Sequence, residues 1–349
     1  MKIGILTLPL HTNYGGILQA YALQTILKDM GHDACLIDGG IYTKAKWKII
    51  LNFLKQYILS FGKIKSQHLY SFNLRKFIKN NINILDDKVK EDTFDAIIVG
   101  SDQVWRSIYT KNIEYYFLDF AKKWNIKRIA YAASFGIDYW DYSNEKTNIC
   151  KSLAALFDYI SVREESGIKL CKDNLNVDAT MMVDPTLLLS VEKYIKIAAQ
   201  NKTKINGKLL VYILDKTNKK NEVLNYLSRI NHMECFSLNP SPTLINQYPS
   251  IEYWLDGFSE AEYVFTDSFH GCVFSIIFNI PFIAYANKER GMARFKSLLK
   301  LFDLENRLIY DINDLPKALD NPINWKKVNE CLKTHQVLAQ KTIEECLKN

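Results

Sequence analysis

The sequence lacks the long apolar segments that place a protein in or across a membrane. No stretch of its 349 residues reaches the roughly 18 uncharged apolar residues that a membrane-spanning helix requires. The opening apolar run, Met1 to Leu10, is short and turns polar at His11, without the longer apolar core and small-residue cleavage site of a secretory signal. We therefore expect a cytoplasmic protein whose first apolar run forms a buried strand.

The cysteines show no metal-site spacing. The seven cysteines are scattered along the chain, and none belongs to a CxxC or Cys/His pattern of the kind that binds zinc. Dispersed cysteines in odd number are typical of reduced, mostly buried thiols. We expect free thiols and no metal site.

The chain also lacks the short motifs of the common nucleotide and nucleic-acid sites. It contains neither a GxGxxG fingerprint nor a Walker loop, which argues against a dinucleotide site and against the usual ATP site. No known nucleic-acid-binding motif is present, so we expect no nucleic-acid partner.

Acidic residues are absent from residues 41–80, which hold nine lysines and arginines. This segment carries more positive charge than the net +7 of the whole chain, so the rest of the protein is close to neutral. Aromatic residues such as Trp47 and Phe53 lie among the cations, a mixture that suits an anionic membrane surface. Two interpretations stay open here: peripheral contact with the inner face of the cytoplasmic membrane, or a basic helical flap over the site.

Two series of alternating strands and helices make up the rest of the chain. Apolar runs predict strands at 3–8, 34–37, 94–99, 127–133, 159–162, 209–214, 233–237, 263–266 and 282–285. Helical patterns lie between them, at 17–27, 221–230, 270–278 and 292–301 among others. Such alternation predicts parallel sheets joined by right-handed crossovers.

The fold class that follows is α/β, with two Rossmann-like lobes and a cleft between them. We assign the N-terminal domain to residues 1–190, with a basic helical insertion at 41–90. The C-terminal domain is assigned to residues 191–349 and ends in a long amphipathic helix, Trp325 to Leu347. Ligands of such sheets bind beyond the carboxyl ends of the strands, so candidate site residues are those that follow predicted strands.

The first candidate joins the first strand to a helix. Adjacent Gly15 and Gly16 let a ligand approach the backbone closely, and the helix N-terminus attracts anions. Asn13, Tyr14 and Gln19 flank this turn. The alternative is a tight turn with nothing bound.

Two further candidates follow later strands of the first lobe. Asp102, Gln103 and Trp105 offer a carboxylate, an amide and an indole, which together suit a sugar. The alternative is Asp102 as a helix cap with Trp105 in the core. Arg163 can grip a phosphate or carboxylate in a bidentate fork, or it can form a salt bridge with its acidic neighbours, Glu164 and Glu165.

The second lobe supplies the candidates for proton transfer and for donor binding. His270 lies at a predicted helix N-terminus within TDSFHG, where it can act as general acid or base. Ser268 and Gly271 flank it. Arg290 and Arg294 precede and open the next helix and can close over a phosphate, a solvated charge run being the alternative.

Seven segments, in order along nearly the whole chain, resemble the polysaccharide pyruvyl transferase family: NYGGILQAYALQ, FDAIIVGSDQVW, YAASFG, ISVREESG, VDPTLLL, TDSFHG and RFKSLL. The resemblance implies a GT-B-like fold without metal or cofactor. It implies phosphoenolpyruvate as donor co-substrate and a sugar hydroxyl pair as acceptor, free or on a lipid carrier. The product would be a cyclic pyruvyl ketal on a surface or capsular glycan.

The resemblance also suggests roles for the candidate residues. We expect His270 and Arg163 in catalysis. Donor contacts are expected from Ser268, Gly271, Arg290 and Arg294. Acceptor contacts are expected from Asn13, Tyr14, Gln19, Asp102, Gln103 and Trp105.

One departure from the family pattern keeps two other functions open. Many members carry Arg-Leu-His where this chain has Ser268, Phe269 and His270, so the arginine that holds the donor is replaced by serine. Arg290 or Arg294 can supply the missing charge. A GT-B-type glycosyltransferase using a nucleotide sugar and a non-catalytic partner in a glycan-assembly complex are the alternatives.

Overall fold

The computed structural model describes residues 1–37, 71–85, 89–110, 112–238, 248–287 and 290–348. Within these ranges the chain forms two parallel sheets, one of seven strands and one of five. The two-lobed α/β prediction is therefore confirmed.

The first lobe is built on the seven-stranded sheet. Its strands are β1 (Lys2–Leu6), β2 (Asp33–Ile37), β3 (Ile84–Leu85), β4 (Ala96–Val99), β5 (Lys127–Ala133), β6 (Tyr159–Val162) and β7 (Thr180–Met181). They lie in the order β3-β2-β1-β4-β5-β6-β7, which extends the Rossmann order by one strand. Short apolar runs suffice because parallel sheets are covered on both faces, and all four residues of β4 are buried.

The second lobe contains the five-stranded sheet. Its strands are β8 (Leu209–Tyr212), β9 (Cys235–Ser237), β10 (Tyr263–Thr266), β11 (Phe282–Tyr285) and β12 (Leu308–Ile309). Their order, β9-β8-β10-β11-β12, is that of flavodoxin-like sheets. The strand order reverses between β1 and β4 in the first lobe and between β8 and β10 in the second, and ligands bind at such switch points.

Helices cover both sheets. They are α1 (Tyr14–Asp29), α2 (Phe72–Asn81), α3 (Asn144–Ala154), α4 (Glu165–Leu170), α5 (Val191–Ala198), α6 (Asn218–Asn231), α7 (Ile251–Glu260), α8 (Phe269–Ile277), α9 (Ala293–Leu301), α10 (Leu315–Leu319) and α11 (Trp325–Lys348). In the described part of the chain, no helix has the length and apolarity to cross a membrane.

Strand bounds agree closely with the sequence pattern, with one instructive difference. β5, β6, β10 and β11 have the bounds that the apolar runs predict. β1 and β8 each end two residues early, and the apolar residues beyond them, Leu8 and Leu214, line the cavity between the lobes instead. An apolar run therefore overstates strand length where the backbone leaves the sheet to form a site.

Gly15 and Gly16 lie in the first turn of α1, so the expected turn before the helix is wrong. Of the basic segment 41–80, residues 71–80 are described and contain most of α2, while the remainder lies outside the described residues. The domain boundary at residue 190 stays a prediction.

The two lobes share one apolar core and one returning helix. Tyr14 of α1 stacks on Trp254 of α7 with ring centroids 5.4 Å apart, and its hydroxyl donates to the Pro249 carbonyl at 2.8 Å. The last helix, α11, runs back to the first lobe, where Gln336 donates to the Leu187 carbonyl at 2.8 Å. These contacts hold the carboxyl ends of both sheets against a common cleft.

Candidate active site

A cavity of about 810 Å³ lies in this cleft. Most of its walls come from the segments that follow β1, β4, β8 and β10, which are the switch-point strands of the two sheets, and the segment after β11 completes them. The lining includes Asn13, Tyr14, Asp102, Gln103, Ser268, His270, Arg290 and Arg294. Most of the predicted site residues thus meet in one place, although they are far apart in sequence.

His270 lies in the first turn of α8, against the other lobe. Its imidazole rests directly on Gly15, because a Cβ at that glycine would be 1.9 Å from the ring Nδ1. Ser268 is the N-cap residue, yet its side chain makes no capping hydrogen bond. The NYGG segment of the first lobe therefore packs against the TDSFHG segment of the second. The missing side chain of Gly15 leaves the space that the His270 ring occupies.

Asp184 is the acid beside His270, and it was not among the predicted site residues. The carboxylate is fully buried, and its Oδ2 lies 3.6 Å from His270 Nε2, which has no hydrogen-bond partner in the described structure. Burial by itself would raise the pKa of Asp184, but His270 and Arg163 beside it hold that pKa well below its usual range. The carboxylate is thus a fixed negative charge behind the imidazole.

The one signal for Asp184 in the sequence is its place in the segment VDPTLLL, shortly after β7. Asp184 is further held by Thr186, whose backbone N–H and hydroxyl donate to Oδ1 at 3.0 and 2.7 Å.

Arg163 lies behind the cavity wall rather than on it. Its guanidinium is shared between Asp184 and Asp102, which accept from its two terminal nitrogens. The same group lies over the Phe269 ring, 4.7 Å from the centroid. This position differs from the expected direct contact with a donor anion, because two carboxylates already occupy the arginine. We name Asp102, Arg163 and Asp184 the inner cluster.

Arg294 is the contrasting arginine. It is 6% exposed and lines the cavity, where one terminal nitrogen donates to the Arg290 carbonyl at 3.2 Å and its Nε has no partner in the described structure. Burial and the nearby charge of Arg163 lower the pKa of Arg294 to about 10. Its positive charge is therefore only weakly compensated and faces the cavity.

Arg290 lines the cavity at its rim, with 44% of its side chain exposed. It holds Asp215 through Nε and a terminal nitrogen, at 2.5 and 3.0 Å. The hydrogen bond from Arg290 is the main reason why the pKa of Asp215 falls to about 2. Unlike Arg294, this arginine has a carboxylate partner.

A buried network fixes the loop that carries Asp215. Asp267 accepts from Lys220 Nζ at 2.6 Å and from the backbone N–H groups of Leu214 and Asp215. Asn287 bridges the Asp267 and Asp215 carboxylates. The start of α8 and the cavity rim are thus tied together by hydrogen bonds.

Three predicted contacts do not reach the cavity. Gln19 is fully buried and bonds Thr7, the Gly16 carbonyl and the Ser101 N–H, while Trp105 stacks on Phe117 in the first-lobe core. Gly271 packs on Thr266, since a Cβ there would be 2.1 Å from its hydroxyl. The core alternative weighed for Trp105 describes its position.

The remaining first-lobe residues are divided between structure and cavity. Asn13 Nδ2 donates to Asp102 at 3.3 Å, and Tyr14 joins the lobes through its hydroxyl. Gln103 lines the cavity with a buried Nε2 that has no partner in the described residues. Sequence reasoning missed Tyr109 and Lys216, which also line the cavity. The described ranges contain no group of three histidine, cysteine or acidic residues arranged to hold a metal ion.

Known structures share this two-lobed architecture. UDP-GlcNAc 2-epimerase from Neisseria meningitidis, in a structure bound to UDP-GlcNAc, matches at a TM-score of 0.52 over 100% of both chains with 12% identity. A glycosyltransferase from Rickettsia africae matches at 0.52 with 11% identity, over 100% of this chain and 99% of that one. The fold class is therefore that of the GT-B glycosyltransferases and epimerases.

The family is given by the sequence. Residues 13–289 match the family model described as polysaccharide pyruvyl transferase, so the chain belongs to that family and is a transferase. A search of curated protein sequences found no match.

Proposed function

We propose that the protein transfers a pyruvyl group from phosphoenolpyruvate to a pair of sugar hydroxyls, forming a cyclic ketal in surface polysaccharide biosynthesis. The observation that carries this proposal is Arg294, a buried guanidinium without an ion-pair partner in the described structure, on the same cavity wall as His270. A cavity with one weakly compensated cation and one histidine suits an anionic donor whose reaction needs proton transfer.

The donor carries a phosphate and a carboxylate on C2, and two features of the wall can bind them. Arg294 offers a guanidinium, and the N-terminus of α8 offers the backbone N–H of Phe269 with the positive end of the helix dipole, while the Ser268 N–H is taken by the Thr266 hydroxyl at 3.0 Å. Ser268 occupies the position where many family members have arginine. Arg294 takes over that charge in our proposal.

The reaction forms two C–O bonds and breaks one. C3 of the donor takes up a proton, C2 becomes electrophilic, and the first sugar hydroxyl adds to C2 as it loses its proton. The bond between C2 and the phosphate oxygen then breaks, and the second hydroxyl closes the ketal. Of the two hydroxyl protons, one balances the proton gained by C3 and the other leaves with the phosphate.

His270 is the group that we propose for proton transfer. Asp184 lies behind its Nε2 at 3.6 Å and can stabilise the protonated ring, while Gly15 fixes the ring position. Arg163 acts through Asp184 as a positioning residue. On the acceptor side, Asn13, Asp102 and Gln103 line the cavity and offer hydrogen-bonding groups to sugar hydroxyls.

To test the identity of the donor, the thermal unfolding midpoint of the protein is measured with phosphoenolpyruvate and, for comparison, with UDP, CMP and phosphate. We expect a dose-dependent rise specific to phosphoenolpyruvate. The rise should vanish in Arg294→Ala and persist in Lys296→Ala, which removes an exposed cation from the same helix. A rise with phosphate of equal size would contradict recognition of the carboxylate.

The proton-transfer role has its own test. His270→Ala should lower the rate of phosphate release from phosphoenolpyruvate in the presence of acceptor by about 100- to 10,000-fold. His32→Ala, at a half-buried histidine outside the cavity lining, is the matched control and should keep full turnover. Full turnover by His270→Ala would overturn the assignment.

A nucleotide-sugar glycosyltransferase is the second candidate, favoured by the fold shared with proteins such as the UDP-GlcNAc-bound epimerase. A buried arginine and a helix N-terminus also suit a diphosphate. Stabilisation by UDP or CMP without stabilisation by phosphoenolpyruvate would favour it. If none of these ligands raises the unfolding midpoint, with or without sugars present, the result would favour a non-catalytic partner in glycan assembly.

We also propose that the basic segment 41–80 contacts anionic membrane lipid. In its described part, α2 exposes Phe72, Lys76 and Lys79 at helical spacing, so that an aromatic ring and two cations share one face. Sedimentation with anionic vesicles should exceed that with neutral vesicles and fall with added salt. Equal sedimentation with both would remove the idea.

A further inference from the structure

Tyr109 is an exposed aromatic side chain on the cavity wall, and none of the roles above uses it. It ends a short 3-10 turn, Ser107–Tyr109, and the residue is 45% exposed and lines the cavity. The turn is anchored, because Ser107 donates to the Asp141 carboxylate at 2.7 Å. The tyrosine is therefore presented by a fixed backbone rather than by a free loop end.

One face of the ring has a partner. The Arg106 guanidinium lies over it, 5.3 Å from the centroid, and Arg106 itself is buried. Arg106 also donates to the Arg290 carbonyl at 3.2 Å, and that carbonyl accepts from Arg294 as well. The aromatic ring is thus joined through one guanidinium to the arginines of the proposed donor wall.

The part of the ring that Arg106 does not cover is open to water, so a ligand that covers it would bury apolar surface, which favours binding. Ile108 and Tyr139, on the same turn and on the loop bonded to it through Asp141, are exposed as well, at 65% and 61%. The cavity beside it is lined by both polar and apolar groups, which suits a ligand with an apolar face and hydroxyl edges, and a sugar ring is such a ligand. Its C–H face stacks on an aromatic ring while its hydroxyls bond polar groups.

We propose that Tyr109 is a stacking platform for a sugar ring of the acceptor. Because Tyr109 is linked to Arg290 and Arg294 through Arg106, a ring stacked there lies next to the donor and sets which hydroxyl pair reaches it. The inference rests on the proposed function in one respect, namely that the stacked sugar is the acceptor of the pyruvyl group. The stacking itself requires only that a saccharide enters the cavity.

Saturation-transfer difference NMR tests the platform directly. The probes are methyl glycosides of glucose, galactose, mannose, N-acetylglucosamine and N-acetylmannosamine, with the aromatic protons irradiated. Saturation should reach C–H protons of at least one of these sugars in the wild type and in Tyr109→Phe, which keeps the ring. Tyr109→Ala should weaken its affinity about two- to ten-fold, the range expected for one aromatic contact.

Two controls separate the possible failures. Tyr310→Ala removes a tyrosine of similar exposure (46%) outside the cavity lining and should leave the sugar signals unchanged. Stabilisation by phosphoenolpyruvate, measured on the same variants, should survive Tyr109→Ala. Loss of donor binding in Tyr109→Phe would instead make the hydroxyl a donor ligand and overturn the platform.

The remaining outcomes bear on one hypothesis each. No transfer to any sugar in the wild type, or equal transfer in wild type and Tyr109→Ala, would overturn the platform even if phosphoenolpyruvate binds. Transfer that depends on the Tyr109 ring without any response to phosphoenolpyruvate would keep the platform and reject the proposed donor.

Discussion

Arg163 and Arg294 show how the same side chain serves different ends in the two lobes. Both are buried, and both guanidiniums lie over the Phe269 ring, at 4.7 and 5.2 Å from its centroid. Arg163 is held by two carboxylates of the inner cluster, whereas Arg294 pairs with none in the described structure. The carboxylates around an arginine, more than its burial, decide whether it is available to a ligand.

The pKa directions support the same contrast. Burial opposes the charge of Arg163, but Asp184 and Asp102 more than offset it, so the pKa of Arg163 lies above the ordinary value. For Arg294 burial dominates, and the pKa falls to about 10. An anionic ligand would relieve this unfavourable environment, and so part of its binding free energy comes from the protein's own uncompensated charge.

The largest effect is expected from removing the acid of the inner cluster. Asp184→Asn leaves Arg163 with only the longer contact to Asp102, at 3.4 Å, and breaking a buried ion pair from one side costs about 3–5 kcal/mol. Urea denaturation at neutral pH should show this loss. Asp178→Asn breaks an exposed ion pair with Lys172 and should change the unfolding free energy by less than about 0.5 kcal/mol.

The same variant tests the pH dependence of stability. Because the folded-state pKa of Asp184 is depressed, its carboxylate stabilises the protein fully above the unfolded-state pKa of about 4. This contribution declines as the pH falls below that value toward the folded-state pKa. The wild type should therefore lose stability between about pH 5 and pH 3 more steeply than Asp184→Asn, and equal slopes would contradict the assigned shift.

A matched pair of substitutions sharpens the comparison between the arginines. Arg163→Met strands two buried carboxylates and should destabilise the protein by about 3 kcal/mol or more. Arg294→Met strands none, so its unfolding free energy should stay within about 1 kcal/mol of the wild type. The order reverses for the donor: Arg294→Met should weaken phosphoenolpyruvate binding by about ten-fold or more, measured by titration calorimetry. Equal destabilisation by both substitutions would refute the contrast.

The sequence predicted the fold well because the fold depends on local patterns. Buried parallel strands are short apolar runs between turn residues, and four of them, including β10 next to His270, had the observed bounds. Features of the site that depend on contacts between distant residues were harder to predict from the sequence. The strand ends at β1 and β8 were misjudged because apolar residues there serve the cavity rather than the sheet.

Most candidate residues line one cavity, as their places after strands suggested, but the sequence did not indicate which of them pair with one another. Residues after strands were good candidates, since the carboxyl ends of parallel strands meet at one edge. Which arginine would be neutralised could not be known, because Asp184 lies 21 residues beyond Arg163 on a different segment. Gly15 offers the clearest example: its role is to admit an imidazole from the other lobe, and no pattern within NYGG indicates that.

The smallest effect is expected at the cavity rim. Arg290 is neutralised by Asp215 but stays partly exposed, so that water and salt weaken its pairing. Arg290→Ala should lower phosphoenolpyruvate affinity by no more than about three-fold and change the unfolding free energy by less than about 1 kcal/mol.

Asp215→Asn is the informative counterpart, because it frees Arg290 without removing it. Donor affinity should then rise, and more so at low ionic strength. If Asp215→Asn leaves donor affinity unchanged at low salt while Arg294→Met abolishes it, Arg290 takes no part in binding and Arg294 alone carries the donor charge.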